Sequence, residues 1–325
     1  MKMKDFCRLI IRFHEFGGLR LLIAYYKMGV LRIGLKAICS CARKNESFKN
    51  AYPEITRHID EMLSQRYGHI VKDAIDKKDK VENSTKIPNI VWSCWLQGTD
   101  NMPKMVSECI ASQKKMLPDY DHRLLTLDNL EQYIDIPKEI ITKYRKKIIP
   151  AASFSDIVRL CVLKRYGGVW MDASVYCSGL RNDELLERWQ RIENSSLTIF
   201  RYFQRGSKLP VGLSNWFIAA SPGNMVCSTI LDMLIAYWHD FDCVLDYYMF
   251  HLFMGMCLNA FPEINARIPH ENSFHSTMLG RNLMNVYNEV WWKDVADHVF
   301  IHKLNYRKAA EASKVKNSFY NNIFN

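Results

Sequence analysis

One stretch, residues 153–176, constrains this chain more than any other. Ser153 is placed to cap a helix, with Asp156 three positions on as a shortened capping box. Ile157, Val158, Cys161, Val162 and Tyr166 recur at helical spacing and give that helix a buried stripe. Gly167 suits the left-handed residue that closes a helix, and Gly168 lets the chain reverse tightly. Val169, Trp170 and Met171 then read as a strand that ends on Asp172. From Asp156 to Tyr166 the helix climbs roughly 15 Å, and from Val169 to Asp172 the strand runs back roughly 10 Å. If the two pack antiparallel, Asp172 returns to the helix's first turns. Asp156 and Arg159, three apart, share a helix face there. Two carboxylates and one guanidinium then meet in a small volume.

Those groups suit a metal-bound diphosphate. Mg²⁺ or Mn²⁺ takes one or two carboxylates together with phosphate oxygens, and the planar fork of Arg159 matches phosphate. Cleaving a sugar–phosphate bond leaves negative charge on the departing group, which a cation and an arginine stabilise in the transition state. The plainer alternative is a surface ion pair between Asp156 and Arg159, with Asp172 as a turn residue.

Ser155-Asp156-x-x-Arg159 followed by Tyr166-Gly167-Gly168-Val169-Trp170-Met171-Asp172-Ala173-Ser174 resembles the core of the sugar-transferase group that carries an Asp-x-Asp motif. That group includes yeast initiating mannosyltransferases, clostridial glucosylating toxins and bacterial capsular polysaccharide synthesis proteins. The form found here is most similar to the capsular branch. Residues 87–98, with Trp95, resemble the group's opening strand, and residues 215–220 resemble a later one; in all the likeness covers about residues 86–305. It implies an α/β fold of the GT-A type, a nucleotide-diphospho-sugar-binding domain with a mixed sheet. It also implies that Trp95 stacks on the donor's base, that Asp156 and Arg159 contact the nucleotide sugar, and that Asp172 lies near ribose and metal. The second aspartate of the motif is Ser174 here, a neutral and weaker metal ligand than a carboxylate.

The chain has 325 residues, enough for one large domain with an appendage. Its charge is uneven: residues 1–50 hold eleven Lys/Arg against three Asp/Glu, a balance of +8 out of a net +10. Arg8, Arg12, Arg20, Lys27, Arg32 and Lys36 interleave with Leu, Ile, Phe and Tyr, and no apolar run approaches the roughly 20 residues that span a bilayer. This pattern suits helices lying on an anionic membrane surface through residues 1–45, or equally a solvated helical lid. No nucleic-acid module accompanies the basic excess. The ten cysteines have no metal-finger spacing, which points to a reducing cytoplasm, with the membrane's inner face as the site of any contact. A long amphipathic helix is expected over 53–76, a polar connector over 77–86, and a division into a basic helical segment (1–80) and a catalytic domain (81–325). A strand over 87–95, a helix near 103–116 and a strand near 122–127 read as a βαβ unit.

In the second half, strands are expected at 197–203 and 215–220, with Asn215 opening the latter, either at the site or as a turn residue. The helix around Asp246–His251 is similar to a capsular-family segment that borders the sugar and acceptor pocket. It puts Asp246 beside Asp156, Arg159 and Asp172 among the catalytic candidates, while Tyr247 and His251, four apart, share a face. His251 by itself reads as a core residue. Residues 300–304 form a strand closing on His302 and Lys303, either of which could reach the diphosphate; His302 joins Asp172 and Ser174 as a metal-ligand candidate. The resemblance implies transfer of a hexose from a nucleotide-diphosphate sugar to an oligosaccharide or lipid-linked saccharide acceptor, with retention at the anomeric carbon. A protein-modifying, toxin-like transferase and a non-catalytic nucleotide-sugar-binding protein are the alternatives.

Overall fold

The computed structural model describes residues 16–44, 52–77, 86–202 and 212–324. Five strands form the main sheet: β1 (Ile90–Cys94), β2 (Asp121–Leu125), β3 (Gly168–Met171), β5 (Leu197–Arg201) and β6 (Leu213–Ala220), in the order β2-β1-β3-β6-β5. β1 runs parallel to β2 and β3, whereas β6 is antiparallel to β3 and β5. The mixed α/β architecture expected from the sequence is therefore present, and β1, the helix Lys104–Met116 and β2 form the expected βαβ unit.

Both faces of the sheet are covered, which is why its central strands are apolar without alternation. Trp92, Trp170, Ile218 and Ala220 enter one core cluster; their neighbours Val91, Val169, Phe217 and Ala219 enter another on the opposite face. The first cluster extends into the helix Tyr52–Asp76 through Ile59, Leu63, Tyr67 and Val71, and into the helix Met225–Asp240. Arg66 and Tyr67 both bond the Asp240 carboxylate there, at 2.7 and 2.9 Å. The long N-terminal helix thus belongs to the same core as the sheet. The connector expected over 77–86, and the division at residue 80, fall largely on residues 78–85, outside the described residues; so do Arg8 and Arg12.

The helix–glycine–strand unit forms with one change at its start. The helix spans Ala151–Tyr166 and is preceded by Pro150, so Ser153 lies inside its first turn and does not cap it. Gly167 closes it at φ 65° and Gly168 opens β3 at φ 99°. A Cβ on Gly168 meets the Ile90 carbonyl oxygen at 2.6 Å, so the β1–β3 pairing requires glycine there. Gly168→Ala is expected to lower the unfolding free energy by about 1–3 kcal/mol, read from urea melts; an unchanged midpoint contradicts this close approach.

A second, two-stranded sheet carries part of the site. β4 (Val175–Cys177) pairs antiparallel with β7 (Ile301–Lys303), with Val175 opposite Lys303 and Tyr176 opposite His302. Ahead of the core, positions 16–44, which include the helices Leu19–Lys27 and Val30–Arg43, hold six basic and no acidic residues. Leu19, Leu22, Ile23 and Tyr26 form an i, i+3, i+4, i+7 stripe that stays exposed, from 40% at Leu22 to 76% at Tyr26, while Leu21 and Ala24 turn inward. No helix among the described residues is long and apolar enough to cross a membrane.

Candidate active site

The strand β3 delivers Asp172 to the first turns of the helix Ala151–Tyr166. Arg159 Nη1 donates to Asp156 Oδ1, and Arg159 Nη2 donates to Asp172 Oδ1 at 3.0 Å. The guanidinium is 3% exposed, with its carbon 4.9 Å from the Trp170 ring centre and 5.6 Å from that of Phe250. Arg159 is therefore clamped between two rings and two carboxylates. Its Nε is buried without a hydrogen-bond partner.

Other elements complete the cluster. Asn215, on β6, donates to Asp156 Oδ1 at 3.0 Å, and Trp170 Nε1 donates to Asp172 Oδ1 at 3.0 Å. The turn after β3 is closed by Val175 N–H donating to Asp172 O at 2.9 Å, and it presents Ser174 beside Asp172. Buried Gln113 fixes that turn through its Nε2, which donates to Val175 O at 2.9 Å and Asp172 O at 3.3 Å. The β4–β7 ladder then lays Lys303 over the turn. Its Nζ donates to Asp172 Oδ2 at 2.6 Å and to Ser174 Oγ at 2.8 Å. With Arg159 almost sealed, Lys303, whose side chain is 26% exposed, is the cation of this cluster that faces outward.

The two carboxylates have opposite titration behaviour. Burial pushes Asp156 up to about 6, against the opposing pull of Arg159. Burial also disfavours the Asp172 charge, but Lys303 and Arg159 outweigh it and hold this carboxyl below the ordinary aspartate value. Asp172 is thus a fixed anion between two cations.

Of the residues singled out from the sequence, the fold brings together Asp156, Arg159, Asp172, Ser174, Asn215 and Lys303. Trp95 follows β1 directly; its ring meets Tyr306 edge-on at 5.2 Å, and its Nε1 is buried with no hydrogen-bond partner. Two residues lie apart from the cluster. His302 projects from β7 on the opposite side from Lys303, shares a hydrogen bond with Ser178 Oγ at 2.9 Å, and packs between Tyr176 and Trp292. Burial lowers its pKa to about 3, so it is a neutral core imidazole. Asp246 precedes the helix Met249–Ala260 and is buried at the N-terminal helix instead, accepting from Thr56 at 2.7 Å, from Tyr52 at 3.3 Å and from the Tyr248 N–H. Tyr247 also precedes that helix and stacks on Phe16, so it does not share a helix face with His251.

His251 is the residue that sequence reasoning undervalued. It is half-buried beside Phe250, and desolvation together with the Arg159 charge lowers its pKa to about 4. Its Nδ1 is buried and unpartnered. Trp95 Nε1, Arg159 Nε and His251 Nδ1 are buried without a hydrogen-bond partner, as are His302 Nδ1 and Trp238 Nε1, whereas buried polar groups are ordinarily satisfied.

The donor set does not fit the divalent cation that the resemblance implies. Asp172 has Arg159 and Trp170 on Oδ1 and Lys303 on Oδ2, Ser174 is held by the same lysine, and His302 faces elsewhere. Among the described residues, no group of three or more His, Cys, Asp and Glu side chains is arranged to hold a metal ion.

The family model described as capsular polysaccharide synthesis protein matches residues 41–323, most of the chain. The chain belongs to that family. The family match spans the N-terminal helix, both sheets and the whole carboxylate–lysine cluster. A curated relative, glycosyltransferase afumC of Aspergillus fumigatus, is 30% identical over an alignment of 166 residues that covers 46% of this chain and 38% of that protein. The chain therefore spans under two-fifths of that relative's length. Among solved structures, the PaToxG glycosyltransferase is similar with a TM-score of 0.39 at 15% identity, covering 64% of this chain and 82% of its own. The catalytic domain of alpha-toxin from Clostridium novyi is similar with a TM-score of 0.36 at 13% identity, covering 95% and 87%.

Proposed function

We propose that this member of the capsular polysaccharide synthesis family is a GT-A type glycosyltransferase that moves a hexose from a nucleotide-diphosphate sugar to a growing capsular or surface polysaccharide. The observation that carries this reading is the joining of Asp156, Arg159, Asp172, Ser174 and Lys303 in one partly exposed cluster. An outward-facing ammonium held against a fixed carboxylate matches the diphosphate and ribose of such a donor. The half-buried ring of Trp95 offers a stacking face for its base.

In the transfer the bond from the anomeric carbon to the β-phosphate oxygen breaks and its electron pair stays on that oxygen. The acceptor hydroxyl forms the new bond to the anomeric carbon from the same face, giving retention, and its proton passes to the released diphosphate. Lys303 stabilises the charge that grows on the leaving oxygen. Asp172 orients Lys303, and Arg159 with Asn215 and Asp156 holds Asp172 in place. Neutral His251 is available for a hydroxyl of the sugar or acceptor.

Turnover of a panel of nucleotide sugars, with lipid-linked oligosaccharide and protein acceptors run in parallel, tests this reading. Transfer to the oligosaccharide supports it, transfer to protein alone replaces the acceptor class, and binding without any turnover favours the non-catalytic reading that Ser174 raises.

The apolar stripe Leu19-Leu22-Ile23-Tyr26, flanked by Arg20 and Lys27 and with no acidic residue over positions 16–44, supports docking on an anionic lipid surface at the cytoplasmic face, where lipid-linked acceptors are met. The double variant Leu22→Ser, Ile23→Ser is expected to abolish co-sedimentation with phosphatidylglycerol vesicles while leaving the melting temperature unchanged. Equal co-sedimentation of wild type with neutral phosphatidylcholine vesicles contradicts the electrostatic part.

A further inference from the structure

We infer that Lys303 takes the place of the divalent cation at the donor diphosphate, so that this chain binds and activates its donor without metal. The inference rests on the nucleotide-sugar reading above and makes it more specific. A divalent metal of the Mg²⁺ or Mn²⁺ kind needs several hard oxygen ligands that are free to turn towards it. The turn after β3 offers two protein oxygens, Asp172 Oδ2 and Ser174 Oγ, and the Lys303 ammonium lies 2.6 and 2.8 Å from them. Those are hydrogen-bond distances, and the ammonium fills the position from which an ion would have to touch both.

The surrounding chemistry agrees. A second carboxylate would draw a metal, but the motif's second position is Ser174, and the other acid of the cluster, Asp156, is engaged by Arg159 and Asn215. A dication would also lie against the charges of Lys303 and Arg159, both already within reach of Asp172. Replacing a carboxylate by a hydroxyl while supplying a lysine swaps one kind of cation site for another. Serine accepts from an ammonium readily and binds a dication weakly.

Lys303 is also built to stay there. Its backbone pairs with Val175 in the β4–β7 ladder, and the Leu304 N–H donates to Ser174 O at 3.0 Å, so both ends of the contact are fixed by main-chain bonds. An ammonium has three N–H donors. Asp172 and Ser174 use two of them, and the third remains for a phosphate oxygen. Lys303 and Asp172 have similar side-chain exposures of 26% and 25%, so an incoming diphosphate reaches the ammonium without displacing either group.

The test uses the full chain, stripped with EDTA, and calorimetric titration with UDP, GDP, ADP, CDP and dTDP, each with EDTA and with Mn²⁺. The expected result is that at least one nucleoside diphosphate binds in EDTA, with an affinity within about twofold of that in Mn²⁺. The paramagnetic resonance signal of free Mn²⁺ should show no protein-bound ion beyond what the nucleotide alone holds. Lys303→Ala should weaken that binding about 10–100-fold, the scale of a lost charged hydrogen bond, and Lys303→Arg should restore part of it; wild-type-like circular dichroism in Lys303→Arg separates this from misfolding. Binding that appears only with Mn²⁺, or is more than about tenfold tighter with it, overturns the inference while leaving the glycosyltransferase reading standing. Binding of no nucleoside diphosphate under either condition overturns both.

Discussion

Asp172→Asn is expected to reduce donor turnover by about 10²–10³-fold, the scale on which one fixed electrostatic partner of a transition state is lost. The asparagine keeps the shape of the turn but removes the anion that holds Lys303 from one side and Arg159 from the other. Lys303 is then free to drift from the leaving oxygen. Arg159 keeps only Asp156 for its charge. The same change should lower the unfolding free energy by about 1–3 kcal/mol, because nearly buried Arg159 loses a charged partner. Turnover assays and urea melts on the same preparation separate the two effects. A folded Asp172→Asn protein with wild-type turnover removes this carboxylate from the chemistry.

Trp95→Ala is expected to weaken donor binding by about 1–3 kcal/mol, the scale of one base–aromatic stack. The indole stands at the end of β1 with its Nε1 buried and unpartnered, and Tyr306, three residues beyond Lys303, braces its edge. A purely structural tryptophan in that setting would change the melting temperature and leave donor affinity alone. Calorimetry with the bound nucleotide decides: an unchanged dissociation constant assigns Trp95 to packing. Trp95→Phe, which keeps a ring but removes the N–H, should retain most of the affinity if stacking dominates.

The meeting of Asp156, Arg159 and Asp172 was legible because it is local. A helix, a two-glycine reversal and a short strand fix the return distance, and sixteen residues leave few alternatives for where Asp172 can land. The choice between His302 and Lys303 was not legible. Neighbouring strand residues point to opposite faces, and the pairing of Tyr176 with His302 and Val175 with Lys303 depends on a ladder between segments more than a hundred residues apart. The three-residue strand β4 has too little sequence to announce itself.

The surroundings of Asp246 were hidden for a related reason. Its partners Thr56 and Tyr52 lie on the N-terminal helix, 190 and 194 residues away, and nothing in the neighbourhood of Asp246 in sequence names them. His251 shows the converse case. An apolar helix made it read as core, yet it is only half-buried, and tertiary packing puts it within the field of Arg159 with one nitrogen unsatisfied. Ser153 gave a cap signal that Pro150 overrode by starting the helix earlier.

The central proposition, that an acid pair and its two basic partners cradle a sugar nucleotide, is tested most directly by thermal unfolding of the wild-type chain against a panel of nucleotide-diphosphate sugars. One donor, present at a hundredfold excess over its dissociation constant, should stabilise the fold by about 2.7 kcal/mol and raise the melting temperature by several degrees, with that rise lost in Asp172→Asn. A melting curve that no nucleotide sugar moves, or that moves equally in wild type and Asp172→Asn, contradicts it.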